Sequence, residues 1–171
     1  MEIYIDKRWV VKNNPIDMHV DKGANLLSAD EKVMGMIKNY YYLIVGLLAI
    51  LFSITHAWNG HSIVLPVLNV DTITTDMKTI FFYVWHIITI ENILFGLAFL
   101  FMSVHNDLSK VRFAAWLIAI LMIARWIVIF GGTLVHNASG LKNTLIDSIA
   151  IVVYVSLIVL GTRVKDRPAE K

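Results

Sequence analysis

Four long apolar stretches, at residues 40–58, 80–101, 113–130 and 145–160, take up most of this 171-residue chain. A helix needs about twenty apolar residues to cross the hydrocarbon core of a bilayer, so each stretch predicts one membrane-spanning helix. Lipid offers the backbone no hydrogen-bonding partner, which leaves a helix as the way each such stretch can cross. The expected fold is therefore all-α, an integral membrane four-helix bundle, with spans at about residues 38–58, 79–103, 112–131 and 144–162. Residues 38–163 make up the bundle, 1–37 a cytoplasmic or interfacial N-terminal segment, and 164–171 a cytoplasmic tail.

Two of the spans carry an ionisable residue where lipid should be: Glu91 near the middle of the second and Arg125 two-thirds along the third. A charge at that depth costs on the order of 3 kcal/mol on insertion scales and normally faces a partner or a polar cavity. These two residues mark where chemistry or tight helix pairing should be sought.

Composition narrows the class without naming an activity. Hydrophobic residues make up 57% of the chain and charged ones 16%, and the mean hydropathy is +0.67. Such values lie well outside the globular balance, and the length leaves room for one bundle and no second domain. A net charge of +2 gives no basis for nucleic-acid binding. The absence of cysteine excludes disulfides, thiolate metal sites, thiol nucleophiles and cysteine-linked lipid anchors.

The positive charges predict an orientation. Twelve Lys and Arg residues lie before the first span, between spans two and three, and after span four. The two opposite connections, 59–79 and 131–144, hold only Lys78 and Lys142. This bias predicts an inner-membrane protein with cytoplasmic N- and C-termini. Residues 1–37 contain no uninterrupted apolar core, so no cleavable signal peptide is expected. Within them, Ser28-Ala29-Asp30-Glu31 reads as a capping box, which predicts that the first helix starts near Ala29. Asp21-Lys22-Gly23 reads as a turn, and residues 1–11 as a short strand or extended arm.

The connection 59–79 is long for a small bundle. Its apolar residues 63–70, with Pro66 among them, predict a segment on the membrane surface or folded over the bundle mouth, either a plain connector or a lid. Gly131-Gly132 is expected to end the third helix. Asn137-Ala138-Ser139 matches a glycosylation acceptor.

Helical rise sets the depth of the polar side chains. His86 falls roughly 10 Å below the outer surface, Glu91 roughly 18 Å, Arg125 roughly 10 Å and Asp147 roughly 5 Å, with His56 near the rim. Arg125 is long enough to reach Asp147 or Glu91. Tyr42, Ala49, Ser53 and His56 share one face of the first helix, and Asp147, Ala150, Tyr154 and Gly161 one face of the fourth. These small and polar stripes should face inward. On the second helix Trp85, Thr89, Asn92, Gly96 and Ser103 share a face, while Glu91 projects almost opposite. Either that helix is buried on two sides, or Glu91 meets another subunit, or the helix is locally distorted.

Two readings of this constellation compete closely. In one, His56, His86, Glu91, Asn92, Arg125 and Asp147 build a polar pocket in the outer half of the bundle, able to recognise a polar head or handle protons. In the other, Arg125 and a carboxylate merely lock helices together, for specificity more than stability. A metal site from His56, His61, His86 or His136 with Asp147 is disfavoured, because no HxxxH or HExxH spacing occurs. A haem finds no partner for His86, and a hydrolase has no G-x-S-x-G elbow. No cofactor is named by the residues. Trp58, Trp85 and Trp116 read as interface anchors, and Trp126 is left without a role.

Leu65-Pro66, then Ile93-Leu94-Phe95-Gly96, then Ala124-Arg125, then Asp147 early in the last helix form a pattern over about 100 residues. It resembles the small four-helix bacterial membrane proteins of the DoxX-like type. Glu91 and His86 lie outside that pattern. The resemblance implies the bundle and a membrane address, and no particular activity.

The expected function is a small integral membrane protein whose pocket binds a small molecule, lipid or quinone-like ligand. There Arg125 and Asp147 orient a head group, and Glu91 and His86 handle protons. The competing expectation is a non-catalytic accessory or assembly subunit, or a homo-oligomer, docking through the helix face that bears Glu91. Transport is disfavoured, since no inverted repeat or pair of broken helices is visible.

Overall fold

The structure, a computed structural model, describes residues 35–165. The capping box, the turn at Asp21–Gly23 and the arm at residues 1–11 lie outside the described residues. From Ile37 onward the chain forms one compact unit. It contains four long helices: α1 (Tyr40–Asn59), α2 (Thr75–Val104), α3 (Leu108–His136) and α4 (Leu145–Thr162). All four are long and apolar enough to cross a membrane, so the protein is a multi-pass membrane protein. No strand occurs among the described residues.

The helices are longer than the apolar stretches suggest. α1 does not start near Ala29: residues 37–39 break the helix, and α1 begins after Asn39, whose side chain caps the Tyr42 N–H at 3.2 Å. At its other end α1 passes into a π-helical turn, Gly60–Val64, and a last helical turn, Leu65–Val67. Most of what was expected to be a long connection is thus helix. Pro66 is tolerated because it opens the new turn, where its missing N–H costs no bond. Gly131-Gly132 does not end α3, which runs on to His136. Neither glycine adopts a positive φ, and nothing stands near either one. In an apolar setting continuing the helix satisfies their backbone groups, which a break would expose. A 3-10 segment, Ala138–Thr144, then leads into α4.

Both chain ends of the bundle meet at one end, which also collects Lys38, Lys110, Arg112, Arg163 and Lys165. We call it the basic end. Here polar groups staple three helices. The Lys38 and Asn39 N–H groups donate to the Ser103 carbonyl at 2.8 and 3.0 Å, ending α2 against the start of α1. Asn39 Nδ2 donates to the Gly161 carbonyl at 2.8 Å, tying in α4, and Arg112 Nη2 reaches the Val164 carbonyl at 2.9 Å. Above the staples lies the apolar core: Tyr42, Val45 and Ala49 of α1, Phe99 and Met102 of α2, Ala115, Ile118, Ala119 and Met122 of α3, and Tyr154 and Ile158 of α4. Every one of these positions is in the half of its helix nearer the basic end or at its middle.

Contact between helices is unequal. α1 and α2 pack along their length, α3 packs on α4, and α4 on α1, whereas α2 and α3 barely touch. The α1–α2 crossing is close because Gly46 faces Gly96. A Cβ on Gly46 would lie 2.9 Å from the Gly96 carbonyl, and one on Gly96 2.7 Å from Ile50. Farther along, Ser53 Oγ donates to the Thr89 carbonyl at 2.9 Å and Trp85 Nε1 to the His56 carbonyl at 3.0 Å. Between α2 and α3 the turn is shaped by His105 and Asp107, whose N–H donates to His105 Nδ1 at 3.1 Å.

Candidate functional site

The half of the bundle away from the basic end holds the polar residues and, between all four helices, a cavity of about 460 Å³. Apolar and aromatic side chains, among them Phe52, Trp85, Ile88, Met122 and Tyr154, form most of its wall. The polar lining comes from each helix in turn: His56 and Asn59 from α1 and its end, Asn92 from α2, Arg125 from α3, Asp147 from α4. Four of the six residues singled out in the sequence, His56, Asn92, Arg125 and Asp147, therefore share one space.

Glu91 and His86 do not line it. Glu91 stands behind Arg125: Arg125 Nη2 makes an ion pair with Glu91 Oε2, while Nη1 donates to Asn92 Oδ1 at 3.0 Å. Arg125 thus grips two consecutive residues of α2 and bridges the α2–α3 seam, where little else touches. Glu91 projects away from the α1-facing side of α2, and α3 receives it, so α2 is flanked on two sides. The pair is not sealed: side-chain exposure is 20% for Arg125 and 38% for Glu91. His86 packs its ring edge-on against Phe82 at 4.5 Å between centroids, on the outside of the cavity.

Three helices run past their apolar windows, α3 to His136 and α1 through Val67. Arg125 stands roughly 17 Å from the end of α3. It pairs with Glu91 and not with Asp147. Among the described residues Asp147 makes no hydrogen bond or ion pair. It sits in the first turn of α4, where the helix dipole favours its charge.

Sequence reasoning missed the aromatic walls. Trp85, read as an interface anchor, stacks face to face on His56 with centroids 4.2 Å apart and an interplanar angle of 4°. With the indole N–H on the His56 carbonyl, this stack fixes the plane of the imidazole and leaves His56 Nε2 buried with no partner. α2 starts at Thr75, several residues ahead of the apolar stretch, which carries Trp85 into the bundle. Trp58 and Trp116 remain exposed, as membrane-facing residues should be. Trp126 donates to Ser148 Oγ at 2.9 Å and so joins α3 to α4. Tyr154, 2% exposed, lines the cavity with a hydroxyl that also has no partner. An inward-facing tyrosine on an otherwise aliphatic helix was the available signal.

Buried polar atoms without a partner cost about 1–3 kcal/mol each and call for an explanation. The described residues contain four. Tyr42 Oη and Arg112 Nε lie toward the basic end and line neither of the two cavities described here. His56 Nε2 and Tyr154 Oη belong to residues on the wall of this one, both within electrostatic reach of Arg125. A second cavity of about 520 Å³ lies between Leu65–Asn69 and the start of α2, with His61 and Lys78 as its ionisable residues. The bundle cavity gathers polar side chains from all four helices and is the better candidate. No group of three or more His, Asp or Glu side chains able to hold a metal gathers among the described residues. No family model, no curated protein and no solved structure matches this chain.

Proposed function

We propose that this membrane protein binds a small amphiphilic molecule in the bundle cavity, its polar head at His56, Asn92, Arg125 and Asp147 and its apolar body against Phe52, Trp85 and Tyr154. One observation carries the reading: a single cavity between the four helices gathers His56, Asn92, Arg125 and Asp147 on one wall with apolar and aromatic side chains. The volume of about 460 Å³ supports it, being of small-molecule size. So does the mixture of an apolar wall with a few polar groups from four helices.

The orientation proposed with it has both termini in the cytoplasm and the cavity in the outer half of a bacterial inner membrane, supported by the twelve-to-two charge bias. Kinship with DoxX-like proteins is a proposal of the same kind, resting on Gly96, Arg125 and Asp147. A docking subunit would need Glu91 available to a partner, and its engagement by Arg125 within the chain favours the cavity reading instead.

The test is native mass spectrometry of protein purified in mild detergent. The expected result is an adduct of small-molecule mass on the wild type that Ala150→Trp, which fills the cavity, removes without lowering the melting temperature. An adduct that survives Ala150→Trp would place the ligand elsewhere and overturn the reading.

A further inference from the structure

Resting on that reading, we infer that the ligand is a lipophilic monocation, an amine or onium group carried on an apolar body. The charges around the cavity lead there. Arg125, the cation of the wall, is balanced by Glu91 and held by Asn92. Asp147 is the second carboxylate, and among the described residues no Lys or Arg pairs with it. Lys142, five residues earlier, is exposed and forms no ion pair with it, and His56 is the other titratable group in its reach. With the histidine neutral, the surroundings carry one negative charge in excess. An anionic head would meet Asp147, itself exposed in this chain, with no cation beside it, whereas a cation would pair with it.

The wall agrees with the charge. Phe52, Trp85 and Tyr154 also line the cavity, and a cation is attracted to an aromatic face within about 6 Å. The cation then pairs with Asp147, while Arg125 stays occupied by Glu91 and Asn92.

Three probes of like shape separate the possibilities: tetraphenylphosphonium, tetraphenylborate and triphenylmethanol, positive, negative and neutral. Binding of labelled tetraphenylphosphonium to immobilised, detergent-purified protein is the readout, with melting temperature as the folding control. Saturable binding is expected, lost in Ala150→Trp, weakened about tenfold in Asp147→Asn and unchanged in Asp76→Asn, an acid outside the cavity. Tetraphenylborate should not compete. Competition by tetraphenylborate at least as strong as by the phosphonium itself, or an Asp147→Asn variant that binds normally, overturns the inference. If only triphenylmethanol binds in an Ala150→Trp-sensitive way, the ligand class is wrong and the cavity reading stands. If none of the three does, both fail.

Discussion

The two halves of this bundle solve the problem of packing in lipid differently. Toward the basic end, Tyr42, Phe99, Ile158 and their neighbours interlock, and Asn39 alone joins three elements: its own helix start, the carbonyl of Gly161 and, through its N–H, the end of α2. In the far half no such cluster of buried apolar side chains exists. Ser53 and Thr89 are buried, Arg125 spans a thin seam, and a cavity fills the middle. Lipid tails are as apolar as leucine, so helices gain little by hiding apolar surface from them and hold together through close packing and hydrogen bonds. Where packing is dense the bundle is a scaffold. Where it is replaced by polar contacts between helices, space for a ligand remains.

The comparison breaks most readily at the glycine contact. Gly46→Leu forces a side chain against the Gly96 carbonyl and Leu100, and overpacking of this kind should cost about 3 kcal/mol. A detergent-solubilised melting curve should show it, and an unchanged midpoint would mean that the α1–α2 crossing is not tight. Next comes Asn39→Ala, which removes the cap of α1 and the cross-helix bond to the Gly161 carbonyl, leaving that carbonyl with the Val164 N–H at 3.3 Å. About 2 kcal/mol is expected by the same measurement.

In the far half the effects should be smaller. A double-mutant cycle of Glu91→Gln and Arg125→Gln is expected to return a coupling of about 1 kcal/mol, because the pair is partly exposed. A coupling of several kcal/mol would make the pair the main lock of the bundle and remove the contrast between halves. Ser53→Ala should cost about 0.6 kcal/mol, the usual worth of a cross-helix hydrogen bond in membranes.

The smallest effect concerns the turn before α3. Asp107 caps that helix at the Ser109 N–H, and hydrogen bonds from Ser109 and then Lys110 pull its carboxyl down to about 2. Its folded value lies below the unfolded one of 3.8, so the stabilisation is complete above that pH and fades as pH falls toward 2. Melting temperature followed from pH 5 to pH 2 should decline less in Asp107→Asn than in the wild type.

The number of spans, their approximate places and the interior stripes of α1 and α4 were legible in the sequence, since they depend on hydropathy and helical period alone. The stripe of Tyr42, Ala49 and Ser53 is indeed buried, as are Tyr154 and Gly161. The ends of the helices were not legible. Gly131-Gly132 and Pro66 look like stops when each is weighed by itself, yet the backbone in an apolar setting keeps its hydrogen bonds by continuing. With them went the setting of Trp85, which stacks on His56 inside the bundle.

What the chain's own order of residues determined, then, is that four apolar helices form and that Glu91 and Arg125 must find company. Periodicity and the cost of an unpaired charge are local, and one sequence is enough to read them. Which acid Arg125 grips was decided only by the tertiary structure. That choice depends on the rotation and height of α2 against α3, which the Gly46–Gly96 contact and the staples at Asn39 set from the opposite half of the molecule.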